Sequence, residues 1–197
     1  MWLHINNNTM TNPSHYLFQS QRLGFRNWQK SDIVPFTNMC KDKKVMEFFP
    51  SILTDEKARL FVERMQQHFE EKQFCYFAVE RLDTQTFIGF IGLRSQEYES
   101  PFTPCVDIGW RLQQAAWGKG FATEGAKACL NYAFQTLGFD KIYAIAPHQN
   151  EKSIHVMKKI GMTQEGSFVH PLMDKDIPLQ PCVAYSITKN IFNKITL

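Results

Sequence analysis

The chain has 197 residues, of which 44% are hydrophobic and 21% charged, with a formal net charge of +3 at pH 7. This length favours one compact domain with a sizeable core, and this composition excludes an intrinsically disordered chain. The basic residues form no continuous run that would predict a nucleic-acid-binding stripe, and no run of 18 apolar residues predicts a membrane span.

The first 19 residues form a polar segment rich in Asn, Thr and His. We expect residues 1–19 to be a leader outside a single domain that spans 20–197. The segment lacks the basic region and apolar stretch of a secretion signal, so a cytoplasmic location is expected.

The N-terminal half of the domain predicts a strand, two helices and a hairpin. Residues 22–28 alternate as a strand does, and a helix is expected to begin near Ile33. A second helix is expected from Thr54, which precedes two acidic residues, to about Lys72. Two runs of aromatic and β-branched residues then predict the hairpin, over 74–81 and 86–95.

The C-terminal half predicts two strand-to-helix units and two more strands. The loop at 117–120 opens one helix, whose apolar stripe stops before Gly138. The loop at 147–150 opens the other, whose stripe stops before Gly161. The predicted strands of this half lie over 105–112, 141–146, 162–169 and 182–188.

The loop from Trp117 to Thr123 is the strongest candidate for a binding site. Small residues that open a helix leave several backbone N–H groups free, and the helix dipole adds partial positive charge, which together favour an anion. Gly118 and Gly120 permit close approach of the backbone, and Lys119 adds a charge between them. The pattern indicates pyrophosphate binding, although two glycines that only form a tight turn would look the same.

Two nucleotide-binding motifs do not fit this loop. A Walker loop is excluded because the Gly-Lys pair is followed by Gly-Phe and lacks the earlier spaced glycine. A dinucleotide fingerprint fails because its third glycine is missing and Asp140 precedes a strand instead of ending one.

The residues Val106–Leu112, followed by Trp117–Glu124, resemble the strand and pyrophosphate loop of the GNAT superfamily of N-acetyltransferases. The family's loop pattern is Gln/Arg-x-x-Gly-x-Gly/Ala, and Gly120 and Ala122 occupy its last two fixed positions. Trp117 stands where Gln or Arg is usual, which also resembles the branch of Rim-type ribosomal-protein N-terminal acetyltransferases. The stretches 150–162 and 21–28 resemble that branch too.

The resemblance implies an α/β fold with a central mixed, splayed sheet of about six to seven strands and helices on both faces. It implies direct transfer of an acetyl group from acetyl-CoA to a primary amine. The backbone of Trp110, Arg111 and Leu112 would contact the pantetheine arm, with Asn150 and Ser153 near the cofactor. The pyrophosphate loop would comprise Trp117, Gly118, Lys119, Gly120, Phe121, Ala122 and Thr123.

Asp107 and Ser153 are the candidate catalytic residues that follow from this resemblance. Asp107 is a general base if burial raises its pKa, and the alternatives are a proton relay through water or simple binding of the substrate ammonium. Ser153 could stabilise or protonate the departing thiolate, although a Ser in a first helical turn is also ordinary capping chemistry. Asn150 could likewise act as a plain helix N-cap.

The acceptor is not chosen by the sequence, which fits a protein N-terminal α-amine or a small-molecule amine. The alternatives are a module that binds acetyl-CoA without turnover and, less favoured, a nucleotide-binding domain. Five widely spaced cysteines with no paired CxxC motif predict no metal site. Neither nucleic acid nor membrane is an expected partner, and the chain is expected to be a monomer or homodimer.

Overall fold

The computed structural model describes residues 15–172, 179 and 181–196. Eight strands form one mixed sheet in the order β1-β2-β3-β4-β5-β6-β8-β7. All neighbouring pairs are antiparallel except β5 and β6, which are parallel. The strands are β1 Phe18–Gln19, β2 Leu23–Arg26, β3 Tyr76–Arg81, β4 Phe87–Gln96, β5 Cys105–Leu112, β6 Lys141–Pro147, β7 Thr163–Val169 and β8 Pro181–Thr188.

Five α-helices accompany this sheet in the described part of the chain. They are α1 Ile33–Lys41, α2 Asp55–Lys72, α3 Phe121–Asn131, α4 Glu151–Lys159 and α5 Lys189–Thr196. The Thr54 hydroxyl caps the start of α2 by accepting from the Lys57 N–H at 3.2 Å, and Gln73, whose φ is +64°, is the C-cap residue that follows Lys72. A turn of π-helix over Tyr132–Thr136 extends α3 towards Gly138, as its apolar stripe predicts. None of these helices is long and apolar enough to cross a bilayer.

The helices cover both faces of the sheet, as expected. Phe90 and Ile91 are successive residues of β4 and therefore point to opposite faces. The Phe61 ring of α2 lies 5.4 Å from the Phe90 ring on one face. On the other face α3 approaches so closely that a Cβ on Gly125 would stand 2.3 Å from Ile91 Cδ1.

Two features at the ends of the domain differ from the sequence prediction. The sheet has eight strands instead of six or seven, because Phe18 and Gln19 form β1 and Phe18 stacks on Phe25 at 4.4 Å. The last residues of the predicted leader therefore belong to the domain, while residues 1–14 lie outside the described part. Helix α5 was not predicted, and its buried Phe192 packs 5.3 Å from the Phe134 ring.

The sheet opens between β5 and β6, and this opening positions the site. These parallel strands are in register at one pair of residues, Asp107 and Tyr143. Beyond that pair the carboxyl ends of the two strands diverge, although each stays paired with its other neighbour. The splayed sheet of the prediction is therefore present, and it leaves a gap that faces α3 and α4.

Candidate active site

A cavity of about 490 Å³ lies at the carboxyl end of β5, between the starts of α3 and α4. Of the predicted cofactor-binding residues, Lys119 alone does not line this cavity. Lys119 is exposed, and its carbonyl accepts a hydrogen bond from Arg22 Nη2 at 3.0 Å. The predicted residues that do line this cavity are Trp110, Arg111, Leu112, Trp117, Gly118, Gly120, Phe121, Ala122, Thr123, Asn150 and Ser153.

Backbone conformation explains the two glycines of the loop. Gly118 has a φ of +72° and Gly120 a φ of +80°, values that L-residues rarely adopt. A Cβ on Gly118 would meet no protein atom within 4 Å, and one on Gly120 would meet only Arg22 Nη2 at 3.5 Å. The protein itself therefore leaves open space above the turn, and the first N–H groups of α3 have no acceptor within the helix.

An ion pair between Arg22 and Glu124 braces this turn. Arg22 Nε donates to Glu124 Oε2 at 2.6 Å, and the guanidinium lies 4.5 Å above the Phe121 ring. Ser20 Oγ and the Arg22 N–H also donate to Glu124 Oε1, at 2.7 and 2.8 Å. Burial opposes the charge, but these hydrogen bonds hold the pKa of Glu124 below its usual value. The brace joins the start of β2 to the first turn of α3.

The edge of β5 that faces the gap carries free main-chain groups. The Gln113 N–H donates to the Ile88 carbonyl at 2.9 Å, so the main chain of Gln113 faces β4. In an antiparallel pair the residues alternate in this respect, so the main chain of Arg111 and of Gly109 also faces β4. Trp110 and Leu112 therefore face the gap. The Leu112 carbonyl already accepts from Trp117 Nε1 at 2.8 Å. Trp110 is paired with no β6 residue in the described ranges, so its N–H and carbonyl face the gap.

The lining of this first cavity is mainly basic among its charged residues. Three lysines and a histidine line it, and Lys152 Nζ lies 4.7 Å above the Trp117 ring. Glu47 is the acidic residue among the described lining. The excess of positive charge suits a polyanion. The basic lining residues are Lys44, Lys152, His155 and Lys159.

A second cavity of about 330 Å³ adjoins the first and contains Asp107. The side chains at the junction come from the segment before α2, from β5 and from the start of α4. The residues that line both cavities are Phe48, Phe49, Trp110, Arg111, Asn150 and Ser153. The first cavity is the candidate cofactor site, and we call the second the acceptor cleft.

Asp107 is buried in the acceptor cleft, with both oxygens hydrogen-bonded. Tyr76 Oη donates to Oδ1 at 2.8 Å, and Gln96 Nε2 donates to Oδ2 at 3.0 Å. Burial raises the pKa of Asp107 to about 6, even though these two hydrogen bonds and the charge of Arg94 oppose the rise. A carboxylate with this pKa is ionised at neutral pH and is a stronger base than an exposed Asp.

Arg111 occupies the junction of the two cavities. Its Nη1 lies 3.3 Å from Cys40 Sγ, and its guanidinium lies 3.7 Å above the Phe49 ring. Burial lowers the pKa of Arg111, and its Nε is buried without a hydrogen-bond partner among the described residues.

Asn150 and Ser153 meet at the start of α4. The Ser153 N–H donates to Asn150 Oδ1 at 3.1 Å, so Asn150 does act as the helix N-cap. The Ser153 side chain borders both cavities, and its hydroxyl makes no hydrogen bond to any residue in the described ranges. It is therefore free to face a ligand.

Sequence reasoning missed the residues that surround Asp107. Tyr76, Arg94 and Gln96 lie on other strands, and Tyr98 follows β4; all four line the acceptor cleft. Local alternation in the hairpin could have shown that Arg94 and Gln96 share a face. It could not have shown that this face meets Asp107, because that needs the register of β4 against β5.

Comparison with known proteins gives a consistent family assignment. The description "Acetyltransferase (GNAT) domain" belongs to the family model that matches residues 22–163. YnaD of Bacillus subtilis, described as an uncharacterized N-acetyltransferase, is 33% identical over 145 residues, covering 73% of this chain and 78% of YnaD. The spermidine N(1)-acetyltransferase of Escherichia coli K12 is 43% identical over 53 residues, 27% of this chain and 28% of that protein.

The fold is also found in solved structures. A GNAT-family acetyltransferase from Bacillus anthracis superposes with a TM-score of 0.71 at 27% sequence identity. The superposition covers 87% of this chain and 98% of that chain. The splayed α/β sheet described above is therefore shared with that structure.

Proposed function

This chain belongs to the GNAT acetyltransferase family and is an acyltransferase by family, and we propose that it moves the acetyl group of acetyl-CoA to a primary amine. The observation that carries the proposal is the continuity of the two cavities. The cofactor site opens at Trp110, Arg111, Asn150 and Ser153 into the acceptor cleft that holds Asp107. A thioester and an amine bound on the two sides would meet there.

The first cavity fits coenzyme A in shape and charge. Its turn at Gly118–Phe121 leaves open space and free N–H groups for a pyrophosphate, and the braced start of α3 adds helix-dipole charge. Lys44, Lys152 and Lys159 also line it and would bind additional phosphate charge. The free main-chain groups of Trp110 would hold the amides of the pantetheine arm.

The acceptor cleft supplies the proton chemistry. Acetyl-CoA, when bound, provides an activated thioester. The carboxylate of Asp107 receives the acceptor's ammonium and accepts one of its protons, so that the nitrogen has a free lone pair. The Asp107 pKa of about 6 is closer to the pKa of an amine than the pKa of an ordinary Asp is. Proton transfer from the ammonium to Asp107 is therefore less unfavourable.

Ser153 acts on the opposite side of the junction. Its hydroxyl borders both cavities and donates a proton to the sulfur as the C–S bond breaks, and it regains a proton from the nitrogen that has formed the new C–N bond. Asn150, by capping α4, fixes the first turn on which Ser153 lies. Asn150 therefore positions the first turn of α4, and Ser153 supplies the proton.

The identity of the amine is a separate part of the proposal. The resemblance to the Rim-type branch suggests a protein N-terminal α-amine. The short match to an E. coli spermidine N(1)-acetyltransferase brings polyamines into consideration. An acceptor screen must therefore include peptides, polyamines and small amines.

Release of free thiol from acetyl-CoA, measured with and without each amine, tests the proposal. We expect one class of amine to stimulate release strongly, with an acetylated product of matching mass. Binding of coenzyme A without stimulated release by any amine would contradict the transferase activity and favour a module without turnover.

A further inference from the structure

Arg94 and Asp107 stand side by side in the acceptor cleft. They are directly opposite each other on β4 and β5, and both line the cleft. Cross-strand neighbours of this kind have Cβ atoms about 5 Å apart. An acidic and a basic group are therefore presented together from one face of the sheet.

These two side chains do not neutralise each other. The Asp107 oxygens accept from Tyr76 and Gln96. Arg94 makes no hydrogen bond and no ion pair within 4 Å to any residue in the part of the chain that the structure describes. Its charge does act on Asp107, whose pKa it lowers. The guanidinium thus keeps its donors available to a ligand.

A guanidinium with free donors beside a carboxylate can bind the two opposite charges of a zwitterion. The planar fork of arginine binds a carboxylate through two parallel hydrogen bonds. An ammonium binds naturally at Asp107. A molecule whose carboxylate lies close to its amine can satisfy both groups at once.

The remaining charge of the cleft disfavours a polycation. Arg111 also lines the cleft, so the described lining contains two arginines and, in Asp107, one carboxylate. A second or third ammonium of a polyamine would approach these arginines and be repelled. An anionic group on the acceptor is attracted instead.

The rest of the cleft is aromatic and small. A space of about 330 Å³ takes an amino-acid side chain and does not demand a long chain. Tyr76 stacks on Phe90 at 5.2 Å, and Phe61 lies against the same ring. The aromatic residues that line the cleft are Phe48, Phe49, Phe61, Tyr76, Phe90, Tyr98 and Trp110.

We propose that the acceptor is a small amphoteric amine, such as a free amino acid with an apolar side chain. Its ammonium binds at Asp107, its carboxylate at Arg94 and its side chain against the aromatic wall. The inference rests on the proposed acetyl transfer and narrows it to one substrate class. Arg94 is then the residue that determines specificity.

Matched acceptors test the inference without any mutation. Thiol release is measured with phenylalanine, leucine and methionine, each beside its decarboxylated amine, and with spermidine and a short peptide. We expect at least one amino acid to have a kcat/KM ten or more times that of its decarboxylated partner. A faster reaction with spermidine, the peptide or the decarboxylated amines would overturn the inference while leaving acetyl transfer intact.

Two variants locate the effect. Arg94→Gln is expected to lower kcat/KM for the preferred amino acid at least tenfold more than kcat/KM for its decarboxylated amine, with the KM for acetyl-CoA unchanged. Loss of the Arg94 charge also raises the pKa of Asp107, but this effect acts on both acceptors, so the ratio of the two kcat/KM values reports the carboxylate contact. Arg94→Lys, which keeps the charge, is expected to lose less. Equal losses with both acceptors would show a structural role and contradict the inference. Turnover of no amine at all would refute the transferase activity, and the inference with it.

Discussion

Tyr76 donates a hydrogen bond of 2.8 Å from its hydroxyl to Oδ1 of Asp107, joining β3 to β5 across the intervening strand. The same tyrosine ring covers Gly109, where a Cβ would stand 3.0 Å from Tyr76 Cε1. The tyrosine thus stabilises the ionised form of a buried carboxylate that its surroundings would otherwise protonate. The base strength of Asp107 is set by this balance.

Replacing the carboxylate tests the role of Asp107. We expect Asp107→Asn to lower kcat/KM by about 10²–10⁴-fold, the usual contribution of a general base. In the wild type, kcat/KM should fall as the pH drops through about 6, because the protonated Asp107 cannot accept a proton. That acidic limb should vanish in the variant. A variant with wild-type activity, or one that keeps the limb, would contradict the assignment.

Removing the tyrosine hydroxyl should shift the same limb. Tyr76→Phe deletes a hydrogen bond that lowers the pKa of Asp107, so that pKa should rise further above 6. A hydrogen bond to a charged group is worth about 1.5–3 kcal/mol, which corresponds to about one to two pH units. Tyr98→Phe is the matched control, because Tyr98 lines the cleft without a hydrogen bond to Asp107. A limb that stays at its wild-type position in Tyr76→Phe would refute this account.

The ion pair between Arg22 and Glu124, which braces the turn at Gly118–Phe121, should affect the affinity for coenzyme A. Arg22→Gln removes the ion pair to Glu124 and the bond to the Lys119 carbonyl. We expect the Kd for coenzyme A to rise about tenfold, equivalent to about 1.4 kcal/mol, with kcat at saturation little changed. Arg59→Gln is the control, because its exposed pair with Glu63 lies on α2 away from the turn. Equal Kd values for wild type and Arg22→Gln would show that the brace has no part in binding.

Variants at Ser153 and Asn150 should distinguish a catalytic role from a helix-capping role. Ser153→Ala keeps the N–H that bonds to Asn150, so the helix start should survive while kcat falls about 10²-fold or more with little change in KM. Asn150→Ala should instead lower the free energy of unfolding by about 1 kcal/mol through loss of the cap. Full kcat in Ser153→Ala would remove the serine from the mechanism. Thermal or urea unfolding of both variants provides the comparison.

Local patterns in the sequence were enough for most of the fold. The strand Cys105–Leu112 and the helix Asp55–Lys72 were predicted with little error, because alternation, caps and apolar stripes involve residues that are close together in the sequence. Helix α5 was missed because the Lys189–Thr196 segment is short and follows a strand without a break. The two-residue strand at Phe18 was missed because its support comes from the distant Tyr132 and Phe77 rings.

The candidate site likewise combines features formed by consecutive residues with features formed by residues distant in the sequence. The sequence indicates the glycine turn as a candidate because the proposed binding there depends on consecutive backbone groups. The Arg22–Glu124 brace joins residues 102 positions apart, and the partners of Asp107 come from two other strands. No spacing rule reveals such pairs, since they depend on sheet register and on how α3 packs against β2. Raised basicity at Asp107 follows from burial, which only the folded chain shows.

The central claim is that coenzyme A lies over the turn at Gly118, and calorimetric titration with coenzyme A tests it most directly. The comparison uses wild type, Gly118→Trp and Gly138→Trp, because both glycines have a positive φ near +75° and open space around them, but only Gly118 lines the cavity. We predict one binding site in wild type and Gly138→Trp, and none in Gly118→Trp. Binding of equal strength in all three proteins, or no binding in wild type, would contradict the account.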